Sequence, residues 1–171
     1  MTLSREKLVA LLVLFGTLLA LAVALGSEQF GGLAPCELCL IERWPYRIAA
    51  VLAALALVAP PRLGARAGRA LLALAALVLL AGAAVAFVHV GVEQGWWPSP
   101  LPECAAPQFH GGSIAERLAR MPARPSKPCD APTYLIPGLP VSMAGLDLLY
   151  ALGIAGFVAM SLRFSRRRAM A

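Results

Sequence analysis

Apolar positions fall into four runs along the chain. Residues 8–26 hold no charge, 48–59 form a shorter stretch, 70–92 a long one, and 142–162 contain only Asp147. A bilayer core of roughly 30 Å needs about 20 helical residues, so three runs span unaided and the second must borrow residues from its N-terminal side. The runs are rich in Ala and Leu and show none of the alternation over about ten residues that a barrel strand requires, which predicts helices. The expected fold is an all-α membrane protein: a four-helix transmembrane bundle in one integral domain, residues 1–171, with spans near 8–26, 40–59, 70–92 and 142–162. Two outer loops, 27–39 and 93–141, join them. No internal repeat is evident. The first run also resembles a cleavable leader, because Arg5 and Lys7 precede it and Ala22-Val23-Ala24 looks like a cleavage site. Its apolar stretch exceeds the usual leader length, so retention is the expectation.

Composition agrees with lipid as the solvent: 60% hydrophobic residues, 14% charged ones and a mean hydropathy of +0.75. A net charge of +6 invites a nucleic-acid reading, but the basic residues sit beside the apolar runs and form no stripe interleaved with aromatics, so no nucleic-acid partner is expected. Arg5 and Lys7 precede the first run, Arg62, Arg66 and Arg69 join the second to the third, and Arg163, Arg166, Arg167 and Arg168 follow the fourth. The positive-inside rule places those segments, and both termini, in the cytoplasm. Arg117, Arg120, Arg124 and Lys127 in the long loop weaken the contrast without reversing it near the membrane.

That loop is interrupted by prolines from Pro98 and Pro100 through Pro107, Pro122 and Pro125 to Pro140, which break regular structure. One exception is Ser113-Ile114-Ala115-Glu116, a capping-box pattern that predicts a short amphipathic helix through Met121, lying on the membrane surface or packed on its own loop.

All four cysteines fall in the outer loops, in a bacterium the oxidising periplasmic side. Cys36-Glu37-Leu38-Cys39 lets two sulfurs meet on one turn beside a helix N-terminus, which favours the thiolate that attacks in exchange. An inert bridge and a zinc site including Cys104 and Cys129 are the alternatives. The latter two are far apart in sequence, unlike a second tight zinc pair, so no metal is expected. Cys104 and Cys129 most simply pair with each other, closing a loop worth roughly 3 to 4 kcal/mol in the chain-entropy model. Alone, such a pair is usually structural. A second pair on the same membrane face adds the option of exchange.

Arg43 follows Cys39 by one helical turn and Arg47 follows by two. A cation at Arg43 would favour the Cys39 thiolate and a reduced quinone oxygen, whereas Arg47 is read as snorkelling. His89 and Glu93, spaced i,i+4, suggest a proton relay to a quinone or an interfacial hydrogen bond. Asp147 suits the first turn of the last helix, with Arg43 or Arg47 as a guessed partner, and Trp96 and Trp97 read as interface anchors. Pro45 inside the second helix predicts an irregular first turn.

Four spans, the run Cys36-Glu37-Leu38-Cys39-Leu40-Ile41-Glu42-Arg43, the Trp97-Pro98-Ser99-Pro100 segment before Cys104, and Cys129-Asp130 together resemble the DsbB family of disulfide bond formation proteins over nearly the whole chain. The resemblance implies a bacterial inner-membrane enzyme that reoxidises a DsbA-like periplasmic thiol oxidase. Cys104 would form the mixed disulfide, Cys36–Cys39 would reoxidise the Cys104–Cys129 pair, and Cys39 would pass two electrons to ubiquinone or menaquinone near Arg43. Two other readings compete. One is a scaffold whose cysteines only staple its loops, although a two-residue staple constrains little chain. The other is a quinone reductase of the vitamin K epoxide reductase type, whose C-x-x-C would be expected late in the chain.

Overall fold

The computed structural model describes residues 4–58, 64–104, 113–119, 127–136 and 138–170. Arg62, Pro107, Arg120, Met121, Pro122, Arg124 and Pro125 lie outside them, as do the side chains of Arg117 and of Arg166, Arg167 and Arg168. Among the described residues the protein is all-helical: α1 (Arg5–Gln29), α2 (Glu37–Val58), α3 (Gly64–Glu93), a 3₁₀ turn (Pro102–Cys104), α4 (Ile114–Ala119) and α5 (Met143–Met170). α1, α3 and α5 are long and apolar enough to cross a membrane. In α2 the apolar run is interrupted by Glu42, Arg43 and Arg47.

The four long helices share one core, and its composition is inverted relative to a water-soluble bundle. Its centre is built largely of small residues: Ala10 of α1, Ala49 and Ala53 of α2, Ala75 and Ala83 of α3, and Ala151 and Ala155 of α5. Phe15, Leu18, Val51, Leu77 and Leu149 face outward. In lipid there is no gain from hiding a leucine, so helices associate through small residues that let backbones approach, and large apolar side chains meet the acyl chains.

Pro45 is accommodated within a continuous α2. Its ring fits against Gly82 of α3, where an added Cβ would lie 2.8 Å from the Pro45 Cβ. The helix thus stays whole because its neighbour leaves room for the ring. At the outer end of α3 the Trp97 indole occupies the space a Cβ on Gly91 would need, and its Nε1 donates to the Val88 carbonyl at 2.9 Å. Trp97 is therefore packed on α3, while Trp96 is exposed. α4 carries the reciprocal capping-box bonds: Ser113 N–H donates to Glu116 Oε2 at 2.9 Å, and Glu116 N–H to Ser113 Oγ at 3.3 Å.

Candidate active site

α2 begins at Glu37, just ahead of the membrane span expected from residue 40, and Cys36 caps it. The Cys36 carbonyl accepts from Leu40 N–H at 3.2 Å, and its Sγ accepts from Cys39 N–H at 3.3 Å. A sulfur in that position meets the positive end of the helix. The two sulfurs lie 2.8 Å apart, both cysteines unbridged. The hydrogen bond from the Cys39 thiol holds the Cys36 thiol below its ordinary value, against the opposing effect of burial.

Cys104 and Cys129 form a disulfide. They pack with Cys36, Leu38 and Val92 in a second buried cluster, against which Cys39, Trp97 and Leu101 also lie. Both cysteine pairs therefore share one enclosed site at the end of α2. The four-cysteine zinc arrangement is not formed, since two of its members are bonded to each other. Among the described residues, Cys36, Cys39 and His89 offer ligand atoms within 4.8 Å of one another, a set equally suited to moving a proton between thiol and imidazole.

The residue that sequence reasoning missed is Glu42. It is buried, and its Oε1 lies 2.8 Å from His89 Nδ1, while His89 Nε2 lies 3.5 Å from Cys36 Sγ. A carboxylate only accepts, so Nδ1 donates to it and a neutral ring presents the Nε2 lone pair to Cys36. The spacing of His89 and Glu93 suggested a different pair. Glu93 instead accepts a short hydrogen bond from the hydroxyl of Ser142. That hydroxyl also receives Gly145 N–H at 3.1 Å, so Glu93 fastens the end of α3 to the capped start of α5.

Arg43 is buried and pairs with Glu28 of α1 at 2.9 Å, not with Asp147. Arg47 stacks over Trp44, 5.3 Å from the ring centroid, at the exposed surface. A cavity of about 70 Å³ is lined by Cys39, Glu42, Arg43 and Tyr46 from α2, by Ala20 and Ala24 from α1, and by Met143 and Asp147 from α5. A second cavity of about 250 Å³ shares Ala20, Ala24, Met143 and Asp147 with it and is otherwise walled by apolar side chains and Tyr150. Of the three residues expected at a quinone, Arg43 lines this space, whereas His89 stands behind Cys36 and Glu93 is turned to Ser142.

An alanine-cored helical bundle with lipid-type outer faces, carrying two cysteine pairs in one buried cluster, defines a membrane thiol–disulfide protein. The family model described as disulfide bond formation protein DsbB matches residues 6–161, nearly the whole chain, and the protein belongs to that family. Searches among curated proteins and among solved structures gave no match.

Proposed function

We propose that this protein is a dithiol:quinone oxidoreductase of the bacterial inner membrane, which reoxidises a DsbA-like periplasmic thiol oxidase and passes the electrons to ubiquinone or menaquinone. The observation that carries the reading is the position of the C-x-x-C pair: Cys36 belongs to the cluster that holds Cys104–Cys129, and Cys39, packed against that cluster, also lines the cavity that Arg43 lines. Thiol exchange requires contact between sulfurs, and the shared cluster brings the two pairs within one enclosure. In this reading α2 is the fourth span, both termini are cytoplasmic and the cysteines periplasmic. The same reading keeps α1 in the protein, supported by its core residues and by the Glu28 partner it gives Arg43.

The cavity suits the quinone by its donor set. One end offers a guanidinium and a thiol, and the adjoining space is apolar and opens between α1 and α5, where a prenyl tail can run into lipid. A bound quinone supplies an acceptor for two electrons and two protons. The chain does the rest. The partner's thiolate attacks the Cys104–Cys129 disulfide, forming a mixed disulfide at Cys104 and releasing the Cys129 thiolate; the partner's second thiol then displaces Cys104, leaving Cys104 and Cys129 reduced. When Cys36 and Cys39 are bridged, the released thiols attack that bridge and regain their own disulfide, leaving Cys36 and Cys39 as the reduced pair. His89, oriented by Glu42, accepts the Cys36 proton, and Arg43 stabilises negative charge beside Cys39.

Cys36→Ser and Cys39→Ser are expected to abolish quinone reduction while the protein still inserts and still forms a mixed disulfide with the partner at Cys104. Normal quinone turnover in either variant would refute the assignment, and loss of the mixed disulfide as well would return the cysteines to a stapling role.

A further inference from the structure

The end of the bundle opposite the cysteines carries chemistry that the redox reading leaves unused. A cavity of about 530 Å³ opens there between α3 and α5. Arg66 and Arg69 from the start of α3 and Arg163 from α5 line it, against an apolar wall that includes Ala73, Ala159 and Leu162. Among the described residues the ion pair recorded here is Arg69 with Glu6 at 3.8 Å, so three guanidiniums converge on the space with one carboxylate nearby. On the adjoining faces of the same two helices Leu72, Leu79 and Val158 are fully buried. At this end the small side chains of Ala73 and Ala159 leave a wedge instead.

Three cations at the mouth call for an anion, and the apolar wall calls for hydrocarbon. Inorganic phosphate answers only the first demand, and at the size of a few waters of about 30 Å³ each it is small for the space. Basic pockets between spanning helices are suited to anionic headgroups. We propose that this cavity binds one anionic phospholipid, its phosphate held by Arg66, Arg69 and Arg163 and an acyl chain lying along Ala73, Ala159 and Leu162. The assignment is independent of the redox reading, since it uses none of the same residues.

The test is native mass spectrometry of the full chain in detergent, titrated with phosphatidylglycerol or with phosphatidylcholine. The expected result is selective retention of one phosphatidylglycerol. An arginine near an anionic lipid surface is worth roughly a fivefold change in binding, so Arg66→Gln with Arg163→Gln should weaken retention about 25-fold. Ala159→Leu, at an exposed position, fills the wedge without altering charge and should also lower retention. Equal binding of both lipids, or undiminished phosphatidylglycerol retention in the double arginine variant and in Ala159→Leu, overturns the proposal. Displacement of the lipid by inorganic phosphate at millimolar concentration overturns it too, because the wall would then contribute nothing.

Discussion

Glu42→Gln isolates the proton-transfer part of the site. The substitution keeps the volume of a buried side chain and removes the charge that fixes His89, whose Nδ1 lies 2.8 Å from Glu42 Oε1. A glutamine can donate as well as accept, so the ring is free to take the tautomer that presents an N–H to Cys36 and no longer a lone pair. A hydrogen bond to a charged group contributes about 1.5–3 kcal/mol. If that orientation is realised in the transition state, at 1.36 kcal/mol per tenfold in rate, its loss slows deprotonation of Cys36 by about 10- to 150-fold. The assay is single-turnover reduction of a soluble quinone analogue by the prereduced protein, followed by quinone absorbance across pH. His89→Ala should be slowed as much, and the double variant no further, because the two residues act as a unit. A Glu42→Gln rate within twofold of the unmodified protein, or additive losses in the double variant, would refute the relay.

Other expectations follow from individual contacts. Arg43→Ala should raise the apparent KM for quinone more than that for the thiol partner, since Arg43 lines the cavity and lies outside the cysteine cluster; equal effects would remove its selective role. In the reduced protein, Cys36 alkylation by a small reagent should follow thiolate content with a midpoint below that of the same thiol in the unfolded chain. The sign is that of a depressed acid: stability contributed by the Cys36 thiolate is present above the unfolded value and lost as pH falls through the folded one, so a midpoint above that of the same thiol in the unfolded chain contradicts the Cys39 hydrogen bond. Gly91→Ala drives a methyl into the Trp97 ring and endangers its bond to Val88. Overpacking at 1–3 kcal/mol plus a lost hydrogen bond at about 1 kcal/mol gives roughly 2–4 kcal/mol. At about 2–4 °C per kcal/mol, Tm in detergent should fall by roughly 4–16 °C, and an unchanged Tm would mean that the loop repacks freely.

The helices were legible in sequence because a membrane helix announces itself by length and apolarity alone, independent of what it touches. α1, α3 and α5 needed nothing more, and the head of α2 could be placed from the C-x-x-C pair. Tertiary partners were not legible. The i,i+4 spacing of His89 and Glu93 puts them on one face of α3, yet the partner of His89 comes from α2, because the side chain turns inward while Glu93 reaches the start of α5. Glu42 carried a signal that could have exposed it: a carboxylate in an apolar helix, one turn from Cys39, is costly without a partner, and few buried cations were on offer besides Arg43 and a histidine. Arg43 was singled out for its position below Cys39, but its partner Glu28 lies across the loop on α1, out of reach of any helical periodicity. Pro45 predicted irregularity for the same reason: the glycine that accommodates it belongs to another helix.

The central claim is electron transfer from protein thiols through both cysteine pairs to a quinone, and its most direct measurement is anaerobic. Protein in detergent, with a reduced DsbA-like partner and a soluble ubiquinone analogue, is followed by quinone absorbance while partner disulfide is counted. The account requires one quinone reduced for each partner disulfide formed, with dependence on Cys36 and Cys104. An undiminished quinone band, with all four cysteines stably bridged, would contradict it.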